Sequence, residues 1–195
     1  ENLLLGAIDC GDDAGKRTHA ISLAKQFTGC GLIYARSRAL CEEIAEILRS
    51  EGENADFYHA GMPAPMRTAT QNRFMSGEVR ILVATVAFGM GIDKSDIRFI
   101  IHFGLPSSLE AYYQEAGRAG RDRAIAHCVL LYTKYDRSSL STLASRDKLA
   151  IETLRGVYAT ARRLMNGDNP GIVSQTALLE RLGALNDTQI RVALS

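Results

Sequence analysis

The chain has 195 residues, of which 23 are Lys or Arg and 22 are Asp or Glu, giving a formal net charge of +1. With 46% hydrophobic and 23% charged residues it has the composition of an ordinary globular protein able to bury a core, which excludes disordered, collagenous and low-complexity chains. No stretch approaches the ~18 apolar residues of a membrane span, and Glu1 to Asp13 lack the basic-then-apolar pattern of a secretory leader, so an intracellular location and no membrane partner are expected.

The charge is unevenly spread. Residues 1–116 carry 11 basic and 15 acidic side chains, whereas residues 117–195 carry 12 and 7, so the C-terminal part is the basic one. Cys10, Cys30, Cys41 and Cys128 show no CxxC pair and no His at a ligand spacing, which predicts four reduced thiols and no zinc or other metal site.

Regular patterning starts at Gly29-Cys30-Gly31, which leads into the apolar strand Leu32 to Ala35. Leu40, Ile44, Ile47 and Leu48 then recur at helical spacing, with Ser37 placed to cap the helix and Gly52 to end it. The alternation repeats: strand 55–58, helix 64–75, strand 80–84, strand 98–103, helix 109–117 and strand 127–132. Strands separated by helices imply right-handed crossovers, hence a three-layer α/β fold with a parallel sheet, the α/β pattern covering roughly residues 14–135 within a domain taken as 1–135. Residues 138–165 keep helical spacing without a strand candidate, and Asn166-Gly167-Asp168-Asn169-Pro170-Gly171 is the densest turn cluster, so 136–171 is expected to be a helical connector. Beyond it, 172–195 has the outline of the start of a helix-turn-helix, and its periodicity still runs at Ser195.

Ligands of open parallel sheets bind at the C-terminal ends of strands, which directs attention to the loops after each strand. Arg36 and Ser37 follow the first strand, His59-Ala60-Gly61 the second, and Thr85 to Lys94 the third. Arg118 and Arg121, three apart with Gly117 and Gly120 beside them, form either a clamp for a polyanion or a surface ion-pair cluster with Glu115 and Asp122. Gly89 and Gly91 around Met90, followed by Asp93, suit either close backbone approach to a nucleotide or simply a tight turn. His59 is equally readable as a hydrogen-bonded structural histidine, and Ser37 as a plain helix cap beside a ready phosphate site.

A nucleoside-triphosphate enzyme also needs a phosphate loop, GxxxxGK[ST], and carboxylates for magnesium. Gly11 to Thr18 has one residue too few between its glycines and Arg17 where the hydroxyl belongs. It also lacks a convincing preceding strand and sets Asp12 and Asp13 where phosphate would lie. No Asp-Glu-x-His or Asp-Glu-x-Asp occurs. The chain thus offers arginines for a triphosphate without the means to hold its magnesium.

Val83 to Lys94, VATVAFGMGIDK, and Tyr113 to Asp122, YQEAGRAGRD, closely resemble motifs V and VI of the RecQ-family DNA helicases of superfamily two. Ile33 to Arg38 resembles motif IV, and Tyr58-His59-Ala60-Gly61 the motif between. RNA helicases of the DEAD-box type usually have His-Arg where Gln114-Glu115 stand, so the spelling favours RecQ. The resemblance implies the second of two RecA-like lobes, in a 3′ to 5′ DNA helicase driven by ATP and Mg2+ held mainly by a first lobe lying before Glu1. Arg121 would be the arginine finger, with Arg118 and Gln114 supporting it. Gly91 and Asp93 would approach the nucleotide, and Arg36, Ser37, His59 and Thr85 would contact the backbone of single-stranded or duplex DNA. Residues 172–195 would begin a winged-helix module. Two departures stand out: no cysteine follows Cys128 to build the zinc module many RecQ proteins carry, and Arg123 stands where the family usually has glycine. The alternative is a non-catalytic RecA-like regulatory or binding module, in which Arg118 and Arg121 would meet a partner's acidic surface. A phosphate loop upstream of Glu1 would decide for the helicase.

Overall fold

A computed structural model of the chain describes residues 2–88 and 93–136, with the isolated helical positions Gly156, Ala159 and Thr160. The chain divides into two compact units, Glu1–Ser138 and Ser139–Ser195. The fold below is that of the first unit. The expected connector, beyond Asp136 and those three residues, and the expected winged helix lie outside the described residues.

Six strands form one sheet: β1 (Leu3–Asp9), β2 (Cys30–Ala35), β3 (Ala55–Tyr58), β4 (Ile81–Ala84), β5 (Ile97–Phe103) and β6 (Ala126–Tyr132). Their spatial order is β1-β6-β5-β2-β4-β3, and every neighbouring pair runs parallel. Four helices connect them: α1 (Asp13–Gln26), α2 (Arg38–Ser50), α3 (Ala64–Met75) and α4 (Leu109–Ala116). The period-2 alternation of strand side chains sends Ile33 and Ala35 into one core with α1 and α2, and Leu32 and Tyr34 into a second core with α3 and α4. This is the three-layer α/β architecture with a parallel sheet that the sequence pattern predicts. Leu32, Ile33, Ile81, Leu82 and Phe99 are fully buried, each such side chain worth about 1.5–3 kcal/mol.

Two elements precede the strand with which the sequence pattern began. β1 is an edge strand with most side chains exposed, and α1 buries Ala20, Ala24 and Lys16 in place of large apolar residues, so neither shows a clear apolar period. A seven-residue strand does therefore precede Gly11, where the sequence shows none of convincing length. Helix caps are as the residue types dictate: the Ser37 hydroxyl accepts from the Leu40 amide of α2 at 3.2 Å, and Ser108 does the same for Ala111 of α4 at 3.1 Å. The end of α1 is closed by Arg80, whose guanidinium donates to the carbonyls of Ala24 (2.7 Å), Phe27 (3.1 Å) and Gly29 (3.1 Å) while pairing with Glu53.

At Gly31 a side chain has no room, because a Cβ there would lie 2.2 Å from the Phe99 ring of the adjacent strand. Gly31→Ala is expected to force that ring out of its place and cost about 1–3 kcal/mol. A thermal melt should then show a loss of roughly 3–10 °C. An unchanged melting temperature would show that Phe99 has slack that the packing does not reveal.

Candidate nucleotide and nucleic-acid site

Because all strands are parallel, their C-terminal ends share one edge of the sheet, and that edge displays the residues following β2, β3 and β4. Arg36 and Ser37 are exposed there, and Thr85 is half-buried with its amide on the Tyr58 carbonyl at 3.2 Å. His59 is turned inward: it is 5% exposed, its Nε2 lies 2.9 Å from Glu42 Oε1, and its ring stacks on Phe57. The hydrogen-bonded reading of His59 is the geometry found.

Asp93 and Arg121 lie at the opposite edge. The Gly120 amide donates to the carbonyl of Ile97, the first residue of β5, at 2.9 Å, and Asp122 binds Arg98 of the same strand. There Arg121 Nη1 sits 2.8 Å from Asp93 Oδ1, with both side chains open to solvent. Structure thus brings together two residues that the sequence places 28 apart, and separates them from the group at the C-terminal edge. The rule that ligands gather after strand ends does not account for this pair. Gln114 is exposed on α4, and Gly91 lies outside the described residues. Of the carboxylates considered as surface partners for the arginines, Glu115 is buried against His102 and Asp122 is turned to Arg98.

Between the two edges runs a buried polar set that periodicity does not reveal. His102 Nε2 lies 2.9 Å from Glu115 Oε2, and the His102 ring stacks on Tyr34 at 5.5 Å between centroids. The Tyr34 hydroxyl donates to the Phe88 carbonyl at 3.3 Å and takes a hydrogen bond from Arg118. Burial pushes this phenol up to about 12, against the lowering pull of Arg118. Tyr34 therefore joins β2, the segment after β4 and the segment after α4 through one side chain. The thiols are chemically quiet: Cys41 and Cys128 are buried, with burial raising them to about 12 and about 11. Among the described residues no group of three or more His, Cys, Asp or Glu side chains is arranged to hold a metal.

Although β1 and α1 give Gly11 to Thr18 a strand-turn-helix setting, both its glycine amides and its lysine already face carboxylates. Asp9 accepts from the Gly11 amide at 3.0 Å, and the N-cap Asp12 accepts from the Gly15 amide at 2.7 Å. Lys16 points inward and is 0% exposed, its Nζ 2.6 Å from Asp136 Oδ2 and 3.0 Å from Asp13 Oδ1. Phosphate would have to displace carboxylates.

The arrangement is a RecA-like lobe with two separated polar edges. The description "Helicase conserved C-terminal domain" matches residues 15–123. The chain therefore belongs to the helicase conserved C-terminal domain family, as a RecQ-type lobe of superfamily two. It is 44% identical over 129 residues to "ATP-dependent DNA helicase Q5" of Rattus norvegicus, covering 66% of this chain and 13% of that protein. It is 52% identical over 106 residues to "ATP-dependent DNA helicase RecQ" of Pasteurella multocida, covering 54% of this chain and 17% of that one. The chain thus spans a minor part of these relatives. In fold it resembles a DEAD box protein from Methanococcus jannaschii, with a TM-score of 0.64 at 23% identity over 76% of this chain and 41% of that one. The C-terminal domain of the DEAD-box protein Dbp5 gives 0.63 at 18% identity, over 74% of this chain and 84% of that one.

Arg123, the departure noted in the turn after Arg121, adopts φ +68°, and it is the one non-glycine residue with positive φ among the described residues. A left-handed residue other than glycine costs about 1–2 kcal/mol, of which glycine's extra chain entropy returns about 0.5–1. Arg123→Gly is expected to raise the melting temperature by roughly 1–4 °C. A fall would mean that the Arg123 side chain makes contacts worth more than the strain.

Proposed function

We propose that the chain is the second motor lobe of an ATP-dependent DNA helicase of RecQ type, working 3′ to 5′ and placed with the nucleoid or in the nucleus. The observation that carries this reading is the exposed Arg121–Asp93 pair at 2.8 Å, with Arg118 of the same turn anchored on Tyr34. Two guanidiniums in one turn, one fixed in the interior and one at the surface, suit a polyphosphate that arrives from outside the lobe. ATP and Mg2+ would be held by a first lobe. Arg121 would leave Asp93 and reach the γ-phosphate when the lobes close, Arg118 and Gln114 would support it, and Gly91 and Asp93 would face the nucleotide. An inserted arginine stabilises the charge spreading over the transferring phosphoryl group, worth ~10³–10⁵ in rate where it has been measured in GTPases. Arg36, Ser37, His59 and Thr85 at the C-terminal edge would contact the DNA backbone, His59 from a ring that also lies against Glu42. Backbone contacts of this kind position the strand without reading sequence. DNA unwinding in recombination and repair is the process such a motor serves.

In the natural full-length protein, Arg121→Ala is expected to lower ATP turnover by orders of magnitude with ATP affinity nearly unchanged, because the lost contact belongs to the transition state. The same variant should melt within about 2 °C of the parent, since an exposed ion pair contributes roughly 0–1 kcal/mol. Near-normal turnover would remove Arg121 from the mechanism. Binding of a single-stranded oligonucleotide should weaken with salt, log affinity falling against log salt with a slope of about −0.7 per phosphate held. Tight binding that ignores salt would contradict a backbone grip.

A further inference from the structure

The buried carboxylate of Asp136, in the turn after β6, has no part in the chemistry described so far, and it is surrounded by donors. It is 2% exposed. Its Oδ2 accepts from the Thr133 amide at 2.8 Å and the Thr133 hydroxyl at 3.2 Å, and lies 2.6 Å from Lys16 Nζ. Its Oδ1 lies 2.9 Å from Arg36 Nη1. Burial by itself would raise this carboxyl, but Lys16, the Thr133 amide and Arg36 outweigh burial and hold it below the usual carboxylate range. The group stays ionised, and its anchorage comes from its own turn, through Thr133, and from two residues distant in sequence, Lys16 and Arg36.

Arg36 is the one member of this set that reaches the surface, its side chain 45% exposed at the C-terminal edge of the sheet. A long cation there would ordinarily sample many rotamers and lose that freedom on meeting a ligand. Here one nitrogen is fixed by Asp136, and the stem runs beside Gly104, where a Cβ would come within 3.0 Å of Nε. Among the described residues the remaining donors of the planar fork have no other partner, which leaves them to a phosphate.

We propose that Asp136 is a positioning residue for the nucleic-acid grip: it holds the Arg36 guanidinium in the orientation that receives a backbone phosphate. This rests on the reading of Arg36 as a DNA-backbone contact. Lys16 is the counter-charge that lets a carboxylate remain buried at that spot, which gives the phosphate-loop look-alike a role unrelated to nucleotide. The sign of the effect separates positioning from simple electrostatics. Removing a negative charge near a polyanion should tighten binding, whereas releasing Arg36 should weaken it.

The test measures affinity of the natural full-length protein for an oligothymidylate strand by fluorescence anisotropy at several salt concentrations, with melting temperature alongside. Arg36→Ala is expected to weaken binding about 3–10-fold at low salt and to reduce the magnitude of the salt slope by about 0.7, the value of one phosphate contact. Asp136→Asn should produce a loss of similar size, and in an Arg36→Ala background it should change affinity less than about twofold, since contacts acting through one residue are not additive. Because Asp136→Asn strands a buried lysine, the paired variant Lys16→Met with Asp136→Asn removes both charges together and is expected to fold and show the same loss. Affinity equal to or above the parent's in the folded Asp136 variants overturns the proposal, as does an equal loss with and without Arg36. If neither variant folds, Asp136 is a structural residue and the proposal falls. A parent that binds no single strand overturns the helicase reading and this inference with it. Binding that depends on Arg36 but not on Asp136 overturns the inference alone.

Discussion

An all-parallel sheet forbids tight hairpins, so every connection must return along the length of the sheet before the next strand begins. β1 to β2, β2 to β3, β3 to β4 and β5 to β6 make that return with a helix. Among the described residues no helix lies between β4 and β5, and Thr85 stands at the C-terminal edge whereas Asp96 stands at the N-terminal edge. This one geometric constraint explains why a single stretch of chain carries a candidate nucleic-acid contact at its start, Thr85, and a candidate nucleotide contact near its end, Asp93.

The interior answers this by placing hydrogen-bonding groups behind the crossover. Tyr34 holds the Phe88 carbonyl and Arg118 at the same hydroxyl, while His102 ties Glu115 of α4 to β5. A buried polar group left without a partner costs roughly 1–3 kcal/mol, so such a set tolerates few alternative arrangements. The crossover start, the strand beneath it and the turn leading to Arg121 are therefore fixed to one another, and the exposed pair at the surface inherits a defined position from groups that never see solvent.

Where apolar residues decide a strand or helix, the sequence is transparent. Helix 64–75 coincides with α3, Ser37 caps α2, and strands 98–103 and 127–132 fall within one residue of β5 and β6. Transparency fails where packing uses other residues. β1 hides because an exposed edge strand needs no alternation, and α1 because small and charged side chains fill its buried face. Site residues follow the same division. Motif spelling singles out Arg118, Arg121 and Asp93, yet nothing in it says that Asp93 and Arg121 share an edge, since that depends on a crossover returning to the start of β5. Nor could Asp136 be foreseen, because its meaning depends on Lys16, 120 positions earlier in the chain, and on Arg36.

The look-alike phosphate loop marks the division of labour most clearly. A phosphate cradle needs free backbone amides at a helix N-terminus and a lysine whose ammonium reaches outward. Here the N-terminus of α1 has the setting, but Asp9 and Asp12 occupy its amides and Asp136 holds the lysine inside. Two carboxylates near the helix end repel an anion that the exposed arginines of the same lobe would attract. Guanidiniums without a cradle can lend charge to a polyphosphate bound elsewhere, but they cannot fix one alone. In the proposed reading, the placement of Asp12 and Asp136, as much as that of Arg118 and Arg121, suits a lobe that would contribute to a nucleotide site from across a cleft.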